Sequence, residues 1–74
     1  MDNHIEMINR PYNSYAYVID GEVVWMHRVD QDMEMINAIM SSNPTIVAVP
    51  EELKESVMQG WVYDKKSKAF NNPE

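Results

Sequence analysis

Between Tyr15 and Val29 apolar residues fill both alternating sets of an extended chain, on either side of Asp20-Gly21. A two-residue Asp-Gly link between β-rich runs is the strongest short-range signal for a β-hairpin. Both central residues of such a turn need φ > 0, which Gly adopts freely and Asp tolerates. The turn predicts a register in which Ile19 opposes Glu22, Val18 opposes Val23, Tyr17 opposes Val24, Ala16 opposes Trp25 and Tyr15 opposes Met26. One face then carries Tyr15, Tyr17, Ile19, Val24 and Met26, and the other Ala16, Val18, Val23, Trp25 and Val29. A hairpin apolar on both faces requires cover on two sides, from the rest of the chain or from a partner.

Downstream the period changes. Met33, Ile36 and Met40 recur at i, i+3 and i+7 with Ile39 beside them, which predicts an amphipathic helix from about Gln31 to Ser41. Asp30 has the chemistry of its N-cap, and Ser42, Asn43 and Pro44 end it. Thr45 to Val49 is a short β-branched run closed by Pro50, expected beside a hairpin strand after the helix crosses over. From Pro50 to Gly60, acids at the start and Gly at the end suit one or two helical turns with Leu53 and Val57 inward. Trp61-Val62-Tyr63 reads as a strand, Asp64 to Lys68 as a charged loop, and Ala69-Phe70 as a last short strand.

The fold class that follows is α+β: a small mixed or antiparallel sheet built on the N-terminal hairpin, with one amphipathic helix packed across it. The element order is β-β-α-β-(short α)-β-β. Residues 1–13 form a polar N-terminal arm broken by Pro11, residues 14–70 a single domain, and residues 71–74 a tail. No stretch has the pattern of a signal peptide or a membrane span.

Length changes the picture. A chain of 74 residues buries only about 60% of its unfolded surface, so its own core gives a thin margin. Small scaffolds usually add disulfides, a metal or oligomerisation. There is no Cys, and two histidines are too few for a His-based metal cage. Docking or self-association is the remaining route.

Charge narrows the partners. Twelve acidic against six basic residues give a formal charge of −6. That balance argues against nucleic-acid backbones and anionic membranes, both of which select Lys and Arg clusters. Candidate chemistry is thin. His4 reads as a solvated residue and His27 as a satisfied strand-edge histidine. Asp30, Asp32 and Glu34 alternate like the start of a calcium loop, but Met35 stands where that loop needs Gly and Ser41 where it needs Glu. No serine lies in a nucleophile elbow, and two glycines cannot form a phosphate-binding loop. The expectation is a non-enzyme with no cofactor, no metal and no small-molecule substrate.

The aromatics offer a different use. Tyr15, Tyr17, Trp25, Trp61 and Tyr63 all fall on predicted strands, and one helix does not cover two sheet faces. Tyr and Trp are favoured interface anchors because they bring large apolar area with a polar tip. These five either finish a small core or form a partner-binding surface. Most of the seven methionines read as core filler.

Two stretches carry a family likeness. The first is YAYVIDGEVV, a Tyr-rich strand, an Asp-Gly turn and a Val-rich return. The second runs from Ser42-Asn43-Pro44-Thr45-Ile46-Val47-Ala48-Val49-Pro50 to Gly60-Trp61-Val62-Tyr63-Asp64 and then Phe70-Asn71-Asn72-Pro73. It resembles a G-W-x-Y-D…F-x-x-P pattern of small virion- or tail-associated proteins of tailed bacteriophages. The helix before Ser42 departs from the shorter connection of that pattern and leaves the subfamily open. The resemblance implies a structural or assembly role through protein–protein contact, with a virion component or a second copy as partner, in the virion or the host cytoplasm. The alternative is an acidic phage-encoded inhibitor of a host defence or transcription protein.

Overall fold

The structure, a computed structural model, describes residues 11–73. The expected arm up to Arg10, with His4 in it, and Glu74 lie outside the described residues. Strands β1 (Tyr12–Ile19), β2 (Glu22–Asp30), β3 (Ile46–Ala48), β4 (Val62–Asp64) and β5 (Ala69–Asn71) form one open sheet. Their spatial order is β3-β1-β2-β4-β5, and every neighbouring pair is antiparallel. Helix α1 (Glu34–Ser42) joins β2 to β3, and a single 3-10 turn, Glu51–Leu53, lies between β3 and β4. This is the expected α+β order.

The hairpin turn has the expected chemistry, with φ of 54° at Asp20 and 79° at Gly21. Ile19 opposes Glu22 and Val18 opposes Val23, but then the register shifts. Tyr17 faces Trp25, Ala16 faces Met26 and Tyr15 faces His27, which leaves Val24 as the extra residue of a β-bulge. Side chains alternate along a strand, so one inserted residue exchanges the faces of everything beyond it. The expected faces are thereby corrected. Trp25 and Val29 join Tyr15, Tyr17 and Ile19, while Met26 joins Ala16, Val18 and Val23. The bulge has a packing reason: Val23 and Met26 are three residues apart, yet both contribute to one core.

Each face of the sheet carries its own core. On one face Ala16, Val23 and Phe70 are buried with Val49 and Val57 of the β3–β4 connection, joined by Leu53, Trp61 and Tyr63. That connection covers its face with almost no helix: Leu53 and Val57 point inward as expected, but from one 3-10 turn and irregular chain. On the other face Tyr15 and Val29 are buried beneath Met40 of α1, with Tyr17 and Ile46 beside them.

Helix α1 starts three residues later than its acids suggest. Asp30 stays in β2 opposite Tyr12, and Gln31 extends the pairing by donating to the Pro11 carbonyl. The helix N-cap is Met33, which makes no side-chain capping bond. Of the apolar positions expected inward, only Met40 is buried; Met33 and Ile36 are exposed. Asn37 takes the inward place instead. Its Nδ2 donates to the Asp30 and Met33 carbonyls, and its Oδ1 accepts from Tyr15 and Asn13.

A candidate protein-contact face

The sequence-predicted aromatics divide between the two faces. Tyr15 lies beneath α1 at 3% exposure. Tyr17, half-buried, places its hydroxyl 3.9 Å from Sδ of Met40. Trp25, opposite Tyr17, is 56% exposed. Trp61 and Tyr63 pack into the other core, where the Tyr63 ring lies 4.8 Å from that of Phe70. The five therefore form no single surface. Tyr15, Tyr17 and Trp25 share a face, and of these Trp25 is the exposed one.

Around Trp25 lie apolar residues that sequence reasoning did not assign to a site. Cross-strand pairing puts Ile19, Glu22 and Val62 in one row on the face that carries Trp25. Ile19 and Val62 are both exposed. Ile36 and Ile39 of α1 are exposed as well, and Ile36 stands one turn before the buried Met40. With Asn37 and Met40 against the sheet, a right-handed helix running antiparallel to β2 turns Ile36 and Ile39 toward the β2 side. The result is an apolar step: a floor of Trp25, Ile19 and Val62, and a wall from the flank of α1. A signal for it was present in the sequence, since Ile39 sits outside the i, i+3, i+7 series. The bulge that delivers Trp25 to this face carried no such signal.

The strand positions of this face carry Glu22 and Asp64, with the exposed His27 opposite Tyr15, and Lys65, Lys66 and Lys68 follow Asp64 in the β4–β5 turn. Arg28 and Lys54 lie at the opposite face, where both cations stack on the ring of Tyr12, at 4.6 and 4.2 Å from its centroid. Lys54 also donates to the Tyr12 carbonyl at 2.9 Å and pairs with Glu51 at 3.0 Å. That cluster is a structural tie between the β3–β4 connection and β1.

Two open depressions, of about 430 and 410 Å3, lie at the ends of β4. One is lined by Met58, Gln59, Trp61 and Pro73, the other by Asp20, Thr45, Tyr63 and Lys65. Among the described residues no three His, Asp or Glu side chains come together in a metal-binding group. No protein-family model matches the chain, and neither the curated proteins nor the solved structures contain a match.

Proposed function

We propose that this chain is a non-catalytic bacteriophage protein, virion-associated or serving assembly, that works through protein–protein contact. The contact face is the step around Trp25. One observation carries this reading: a tryptophan more than half exposed, on the same side of the sheet as exposed Ile19 and Val62 and the exposed Ile36 and Ile39 of α1, where α1 covers only Tyr15, Tyr17, Val29 and Ile46. Exposed apolar patches of this kind mark interaction sites, and Trp is the residue most enriched at their energetic centres. The resemblance of YAYVIDGEVV and the G-W-x-Y-D…F-x-x-P stretch to small virion proteins supports the particle as the setting.

Quantitative mass spectrometry of purified particles tests the setting, and Trp25→Ala tests the face. Stoichiometric incorporation that the substitution abolishes supports the reading. Absence from particles, with early expression in the host, would move the chain to the inhibitor alternative.

A further inference from the structure

We propose that the open edge of β2 pairs antiparallel with the same edge of a second copy, across a two-fold axis at His27. The inference concerns the edge of the sheet and does not rest on the contact reading above. Backbone direction is the first argument. Successive residues of a strand turn their N–H and C=O groups to opposite edges. Val18 donates to the Thr45 carbonyl and the Ser14 carbonyl accepts from Val49, so Ser14, Ala16 and Val18 serve β3. Asn13, Tyr15 and Tyr17 serve β2, where they oppose Val29, His27 and Trp25. Met26 and Arg28 therefore direct their backbone groups away from β1. On that side β4 reaches β2 only at Glu22, and among the described residues nothing pairs with Met26 or Arg28 there.

Unpaired edges are templates for another strand, and proteins keep them short or interrupt them with proline. The outer strands β3 and β5 have three residues each; Pro44 and Pro50 bracket β3, and Pro73 follows β5. The edge from Trp25 to Val29 has neither protection. Register identifies the occupant. With Met26 opposite Arg28 of the second copy, and the reverse, every free N–H and C=O of the two residues is used on both chains. His27 then meets His27 of the second copy, Trp25 meets Val29 of the second copy, and no carboxylate lies between Trp25 and Val29. Centring the pair on Arg28 would oppose two guanidiniums. Centring it on Met26 would call on the Val24 carbonyl, which already accepts from Nε2 of Gln59. An isologous pair closes on itself and supplies the oligomerisation that small chains without disulfides usually add.

The test reads amide hydrogen exchange in the unaltered chain at low micromolar and near-millimolar concentration, with sedimentation alongside. The N–H groups of Trp25, His27 and Val29 point to β1 and should be protected at both. Met26 and Arg28 should gain about tenfold or more in protection at the higher concentration, as the dimer forms. A monomer at every concentration would overturn the proposal. So would a dimer in which Met26 and Arg28 still exchange freely, or their protection in a monomer. Cysteine cross-linking checks the register, since the chain has no native thiol. Residues facing each other in a non-hydrogen-bonded pair have Cα atoms about 4.5 Å apart, within reach of a disulfide. With oxidised glutathione as oxidant, His27→Cys should give a covalent dimer, and Arg28→Cys, offset from its own copy across the axis, should not. Failure of His27→Cys to cross-link, or faster cross-linking of Arg28→Cys, would overturn the pairing.

Discussion

The Tyr15 hydroxyl donates a 2.6 Å hydrogen bond to Oδ1 of Asn37, across 22 residues of sequence. The same oxygen accepts from Nδ2 of Asn13 at 2.9 Å, and the Asn37 Nδ2 donates to the carbonyls of Asp30 and Met33 at 3.0 and 2.8 Å. One amide thus joins β1, the end of β2 and the first turn of α1, with both its donors and its acceptor in use. It ties α1 to the sheet without capping it, since it accepts from no first-turn N–H group. By fixing where α1 leaves β2, it also fixes how much of the sheet around Trp25 stays bare.

Asn37→Ala is therefore expected to lower unfolding free energy by about 1–3 kcal/mol, because Tyr15 and Asn13 lose their shared acceptor in a part-buried site. Tyr15→Phe removes one bond and should cost about 1 kcal/mol. Chemical denaturation of the two single variants and the double variant checks this. The double variant should lose less than the sum, since both changes break one network.

At the hairpin turn, a Cβ on Gly21 would lie 3.7 Å from the Tyr63 carbonyl oxygen, an ordinary contact. The penalty for Gly21→Val is therefore conformational: a β-branched residue at φ of 79° loses about 1–3 kcal/mol. Asp20→Gly, at φ of 54°, should be nearly neutral. A matched pair of denaturation midpoints decides it, and an unmoved midpoint for Gly21→Val would contradict the turn geometry.

The elements were legible in the sequence because each rests on a local signal. Asp20-Gly21 specified the turn, Pro44 and Pro50 bracketed β3, and Gly60 with Trp61 announced β4. What was not legible depended on tertiary competition. Asp30 has cap chemistry, but pairing with Tyr12 holds it in β2. Asn37 lay outside the apolar series read for the helix and became the part-buried pin. The bulge at Val24 arises from two cores competing for one strand, and a run of Val-Val-Trp-Met contains no Gly to mark it. That single slip decided which face Trp25 joined. The candidate site was accordingly only half readable: Tyr17 and Trp25 were named, but Ile19, Val62, Ile36 and Ile39 were not, and Trp61 and Tyr63 belong to the opposite core.

The two tryptophans should separate in solution. Acrylamide should quench Trp25 strongly and Trp61 weakly, because only Trp61 packs against a core. Trp25→Ala should shift stability by under about 1 kcal/mol, while Trp61→Ala should cost well over that. Equal quenching of the two single-Trp variants would place Trp25 on the wrong face.

On the far face the ring of Tyr12 is held by Arg28 and Lys54, while its hydroxyl is buried with no hydrogen-bond partner. Tyr12→Phe should then be neutral or slightly stabilising, since it removes an unsatisfied polar group and keeps the ring. Lys54→Ala, losing the bond to the Tyr12 carbonyl and the ring contact, should cost about 1–2 kcal/mol. Glu51→Ala should cost little, because its side chain is 75% exposed. Thermal melts of the three variants give the ranking directly.

The fold separates the two functional readings in space. Glu51, Glu52 and Glu55, the carboxylates best placed for acidic mimicry, sit in or just after the 3-10 turn over the Val49–Val57 core. Trp25 lies on the face that α1 covers only in part. Under the contact reading, reversing all three glutamates to Lys should leave partner affinity within about threefold at physiological salt, where exposed charges beyond about 8 Å are largely screened. Trp25→Ala should weaken it by about 2 kcal/mol or more, with little salt dependence, because apolar burial is not screened. Titrations at two salt concentrations on both variants discriminate the readings. A steep fall of affinity with salt, abolished by the triple reversal and indifferent to Trp25, would transfer the function to the acidic surface.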